Sequence, residues 1–71
     1  MIPGKITHLL KDGRGFIESE NGMQFGFHQD DLEDLDFEKL EIGHAVEFVH
    51  DFEGQPLESR AVQVRAARRA L

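Results

Sequence analysis

The chain contains no cysteine, which excludes a disulfide framework and a thiolate zinc site. It has no hydrophobic run near the roughly 20 apolar residues that a membrane span requires. Its opening "MIPGKITHLL" also lacks a long apolar core behind a basic segment. A soluble, cytoplasmic protein with no membrane contact is the expectation. Proline is scarce, at two residues, and the seven glycines are spread so that they punctuate short segments, a pattern that favours strands. Positive charge is in deficit: 8 basic residues face 14 acidic ones, for a net charge of −6. That balance argues against broad electrostatic attraction to nucleic acid or membranes.

At 71 residues the chain makes one small domain, expected to be a monomer, that can bury about 60% of its unfolded surface. Its charge is polarised. Residues 1–14 carry +2 and residues 60–71 carry +4, so the stretch between them holds −12. Seven of its acids fall between Asp30 and Glu41, opposed only by Lys39. This segment reads as a solvated loop, or as a surface that repels nucleic acid or meets a basic protein partner.

Lys5–Leu10 after Pro3-Gly4, Arg14–Glu18 and Met23–His28 read as the first three strands. The last two flank "SENG", where Asn21-Gly22 predicts a two-residue hairpin turn. The next stretch has no period of two and is expected to be the longest connection, with a helical turn or two pinned to the core by Leu32, Leu35, Phe37 and Leu40. Ala45–His50 gives a fourth strand, "DFEGQP" a turn, and Leu57–Val64 a fifth strand with Ala61, Val62 and Val64 apolar. Together these predict an all-β fold, a five-stranded antiparallel Greek-key barrel of the oligonucleotide-binding type. It spans residues 1–66 and leaves 67–71 as a short basic tail.

Side chains alternate along strands, so Phe25 and Phe27 share the inner face of the hairpin with Ile17. Arg14, Phe16, Gly26 and His28 then face outward. An outward Phe beside His and Arg forms a π-rich, cationic patch. Such patches stack unpaired bases at about 1–3 kcal/mol per base while Lys and Arg hold the phosphates. The plainer alternative is that Phe16 is an ordinary exposed aromatic or is covered by the termini, with His28 capping the turn at "HQDD". Gly15 and Gly26 permit a bend, a bulge or the close approach of a ligand or backbone.

These residues resemble a cold-shock domain across almost the whole chain. "GKIT" is similar to the family's opening G-K-V-K, "DGRGFIE" to its first ribonucleoprotein motif K-G-F-G-F-I, and "QFGFH" to its second, V-F-V-H. Downstream, "FEKLEIGHAVEF" follows L-x-x-G-x-x-V-x-F, and "EGQPLESRAVQV" follows the K-G-P-x-A-x-x-V ending. The resemblance implies a barrel that binds single-stranded RNA or DNA as an RNA chaperone or regulator, without enzymatic activity. On that alignment Phe16 and His28 occupy motif positions, and Lys5 lies in the opening motif. Arg14 stands where the first Phe would be, Asp12 where the Lys would be, Gly26 where a Phe would be, and Gln29 where an aromatic often follows the His. His8 falls at the place of an exposed Trp, and Leu9 at that of the Phe after it. Strict alternation from Ile6 would turn His8 inward, so its exposure requires a bulge. With at least three rings missing at about 1 kcal/mol or more each, affinity is expected to fall roughly a thousand-fold below that of a full platform. Arginine also stacks on bases and binds phosphate, so Arg14 changes the mode of contact.

The expected nucleic-acid-binding set is therefore Phe16, His28, Arg14, Lys5, His8 and Gly26. Carboxylates are plentiful in "QDDLEDLD", but that segment reads as solvated and lacks the unlike environments that acid–base catalysis needs. The four histidines have no metal-binding spacing, and no cofactor is expected. The competing reading is a protein-interaction or structural barrel that has largely lost nucleic-acid binding and uses the acidic loop from Asp30 to Glu41, or Phe16, to meet a protein.

Overall fold

Strands β1 (Ile2–Leu9), β2 (Arg14–Ser19) and β3 (Gln24–His28) are joined by two turns of one design. They are seen in a computed structural model that describes residues 1–51 and 59–67. In the first turn Gly13 N donates to Leu10 O at 3.2 Å and Leu10 N to Arg14 O at 2.8 Å. In the second Gly22 N donates to Ser19 O at 2.9 Å and Ser19 N to Met23 O at 2.8 Å. Each loop has three residues and ends on a glycine with positive φ, +90° at Gly13 and +87° at Gly22.

The second loop corrects the two-residue turn expected at Asn21-Gly22, and parity supplies the reason. A two-residue loop would set Glu18 opposite Phe25 and force a carboxylate and a core ring onto one face. The three-residue loop sets Ile17 opposite Phe25 and Glu18 opposite Gln24. Asn21 keeps an ordinary φ, and its side-chain carbonyl accepts from Met23 N at 3.4 Å and from the Ser19 hydroxyl.

β4 (Ala45–Asp51) and β5 (Arg60–Ala66) complete a closed barrel with neighbour order β1-β2-β3-β5-β4. The five-stranded all-β barrel expected from the sequence is present. Four of its ladders are antiparallel. At the fifth, β3 and β5 run parallel and, among the described residues, pair only at Gly26 and Arg60. β1 begins earlier than the expected Lys5 because Ile2 to Lys5 pair with Phe48 to Ala45 of β4. The expected start of the fifth strand at Leu57, most of the "DFEGQP" turn and tail residues 68–71 lie outside the described residues. Ala67 N donates to Ala45 O at 3.1 Å.

Two bulges bend the barrel. In β1, Ile6 pairs with Ile17 and His8 with Phe16, which leaves Thr7 as the extra residue. In β5, Arg65 pairs with Glu47 and Val62 with Val49, with Gln63 between them at φ +50°. Ala61 and Val64 are consequently both buried, while Val62 is half-buried.

The core gathers Ile6, Ile17, Phe25, Phe27, Leu40, Val46, Phe48, Ala61 and Val64. The Phe25 and Phe48 rings lie 4.8 Å apart, within the range of favourable aromatic pairs. Between β3 and β4 the chain makes two 3-10 turns, Gln29–Asp31 and Phe37–Lys39. Leu32, Leu35 and Phe37 pack against the core as expected.

The acidic segment is not solvated throughout. Asp31 pairs with Arg60 at 3.2 Å and Glu33 with Arg65 at 3.1 Å. Leu32 bridges Val64 in parallel, and Glu33 N donates to Val64 O at 2.7 Å. The first part of the connection is thus strapped along β5, and charges that are polarised along the chain meet in space.

Candidate nucleic-acid interface

The bulge at Thr7 settles where His8 points. Ile6 is buried and Leu9 packs against the core, while His8 turns outward opposite Phe16. The two rings meet edge to face at 5.7 Å. The Thr7 hydroxyl donates to the Phe16 carbonyl at 3.3 Å, and its oxygen lies 3.0 Å from His8 Nδ1, so the bulge residue tethers both partners. Phe16 remains 38% exposed.

The two glycines of the hairpin have opposite roles. A Cβ on Gly15 would sit 2.6 Å from the Phe27 ring and 2.7 Å from the His8 carbonyl oxygen, so this inward position has no room for a side chain. Among the described residues, a Cβ on Gly26 would meet only the Phe16 ring, at 3.7 and 3.9 Å, which is ordinary contact. Gly15 is demanded by packing, whereas Gly26 leaves space. Over that space lies a groove whose lining includes Arg14, Phe16, Gly26 and His28, four of the six residues expected from the sequence. His8 stands on the far side of Phe16.

Lys5 is placed elsewhere, opposite Glu18 and outside the groove lining. Leu10, Ser59 and Arg60 also line the groove and were not expected. Ser59 and Arg60 arrive through the parallel β3–β5 contact. A positive charge within "LESRAVQV" was the one signal available, and nothing local in the sequence ties it to Gly26.

His28 caps the first 3-10 turn. Its Nδ1 accepts from Asp30 N at 3.1 Å, and its backbone N–H donates to the Asp31 carboxylate at 3.0 Å. The capping alternative for this histidine therefore holds together with its place at the groove, because one ring does both. With Nδ1 accepting, the neutral ring carries its proton on Nε2. Both arginines at the groove are already paired: Arg14 Nε lies 2.8 Å from Asp12, and Arg60 lies 3.2 Å from Asp31. The site offers an apolar floor with stacking rings and a rim whose positive charge is largely compensated.

No family model and no curated protein match the sequence. Among solved structures, the chain is similar to the cold-shock domains of drosophila Unr, "drosophila Unr CSD456", with a TM-score of 0.71 and 23% identity over 94% of this chain. It spans 26% of that longer chain. At this identity the likeness is one of fold: both are small closed β-barrels, here of five strands.

Proposed function

We propose that this domain binds single-stranded RNA or DNA through the outer face of β1, β2 and β3, as a cold-shock-like chaperone or regulator and not as an enzyme. One observation carries the reading: an exposed Phe16 held between His8 and the Gly26–His28 groove. Phe16, His8 and His28 supply the stacking surfaces and Arg14 the cation, while Lys5, opposite Glu18, lies outside the groove lining. Affinity is set below that of a complete aromatic platform, since each stacked base is worth about 1–3 kcal/mol and the Gly26 position offers no ring.

A titration of ¹⁵N-labelled protein with a pyrimidine-rich single strand at low and moderate salt tests this. Shifts are expected at His8, Arg14, Phe16, Gly26 and His28. Their absence at millimolar strand would refute the proposal. The second reading, a protein-binding barrel, draws on the exposed carboxylates of Asp30, Asp34, Asp36, Glu38 and Glu41 and on the aspartate already paired with each groove arginine. A basic partner docking there would shift that loop and leave Phe16 unmoved.

A further inference from the structure

We infer that the space at Gly26 is a pocket for one unpaired base, walled by Phe16 on one side and by β5 on the other, with Arg60 as the anchor for its phosphate. The inference rests on the nucleic-acid reading and specifies it: the domain grips a single extruded nucleotide where a flat platform would stack a run of bases.

The walls come from two separate features. On the β2 side, the edge of the Phe16 ring turns toward the missing side chain, with its nearest atoms 3.7 and 3.9 Å from where a Cβ would stand. On the β5 side, Gly26 N donates to Ser59 O at 3.0 Å, which brings the backbone of Ser59 and Arg60 alongside β3. Arg14, Gln24, Phe27 and His28 are among the residues that line the rest of the groove. A surface between two walls suits one planar base and interrupts a continuous stack.

Arg60 has the geometry of an anchor. Its side chain is 55% exposed and contacts Asp31, itself only 10% exposed, through one terminal nitrogen at 3.2 and 3.5 Å. A guanidinium has five N–H donors in a planar fork. The contact to Asp31 therefore fixes the side chain at the groove and leaves donors for a phosphate oxygen.

A pocket and a platform make opposite predictions for one substitution. If Gly26 is a gap in a platform, Gly26→Phe restores a ring and strengthens binding. If it is a pocket, the same ring fills it. Binding of hexathymidylate would be measured by NMR titration for the wild type, Gly26→Ala, Gly26→Phe and Arg60→Gln, with each variant's fold checked by its amide spectrum. Gly26→Phe is expected to weaken binding at least about tenfold, and Gly26→Ala and Arg60→Gln about threefold each. Equal or tighter binding by folded Gly26→Phe overturns the pocket while leaving the nucleic-acid reading intact. Absence of wild-type binding at millimolar strand overturns both. If Gly26→Phe does not fold, Gly26→Ala decides: weaker binding supports the pocket, and unchanged or tighter binding overturns it.

Discussion

The Asp12 carboxylate lies 2.8 Å from Arg14 Nε and also accepts from the Arg14 backbone N–H at 3.3 Å. The turn itself makes this pairing. Asn21 holds the equivalent place in the second turn and accepts from Met23 N at 3.4 Å. An amide therefore satisfies this turn as well as a carboxylate does, and Asp12→Asn should fold normally while releasing the Arg14 guanidinium. Strand binding is expected to tighten several-fold at low salt. The slope of log affinity against log salt should steepen by about 0.7, the value for one more phosphate neutralised on a single strand. Affinities measured from about 50 to 300 mM salt, a range over which screening of the strand's charge tightens, check this; an unchanged slope would show that Arg14 does not meet phosphate.

Phe16 contributes to the surface more than to the core. At 38% exposure, with His8 as its ring partner, Phe16→Ala should cost at most about 1 kcal/mol of stability. It should lower affinity for a pyrimidine strand by about 1–3 kcal/mol. Thermal melts and titrations on the same sample separate the two effects. A large drop in melting temperature with unchanged binding would assign Phe16 to the core.

Alanine at the two hairpin glycines should divide them. The added methyl at Gly15 would press on the Phe27 ring and on the His8 carbonyl, both under 3 Å away, and forcing such contacts costs about 1–3 kcal/mol. At Gly26 the methyl has room, so stability is expected to stay within about 1 kcal/mol of the wild type or to rise. Urea denaturation of both variants gives the comparison.

Gln63 is exposed and sits at φ +50° in the β5 bulge. The left-handed region costs a non-glycine residue roughly 1–2 kcal/mol. Gln63→Gly should recover about 1 kcal/mol, less the entropy that glycine adds to the unfolded chain, which is a rise of several degrees in melting temperature for a domain of this size. Calorimetry would show it, and a fall would mean that the Gln63 side chain stabilises the bulge.

What could be read from the sequence follows the reach of the forces involved. Alternation alone places Ile17, Phe25 and Phe27 inside, because neither β2 nor β3 contains a bulge. The same parity excludes a two-residue loop, since pairing Ile17 with Phe25 requires an odd number of residues between the strands. The local preference of Asn21-Gly22 for a two-residue turn points the other way. His8 was undecidable because the Thr7 bulge answers to barrel closure and not to any neighbour in sequence. The groove wall at Arg60 and the ion pairs of Asp31 and Glu33 join residues about thirty positions apart, beyond what composition or periodicity can reach.

The parallel contact at Gly26 and Arg60, overlaid by the Asp31–Glu33 strap, is also the seam of the barrel. Among the described residues this ladder is a single pair, and so short a ladder is where a closed sheet opens first, by fluctuations well below global unfolding. The groove lies across that seam, so any strand that touches Phe16 and Arg60 together acts as a staple and binding registers as slowed breathing. The Gly26 amide, donated to Ser59, is the natural reporter: its hydrogen exchange should slow on binding more than that of any amide in the β1–β2 ladder.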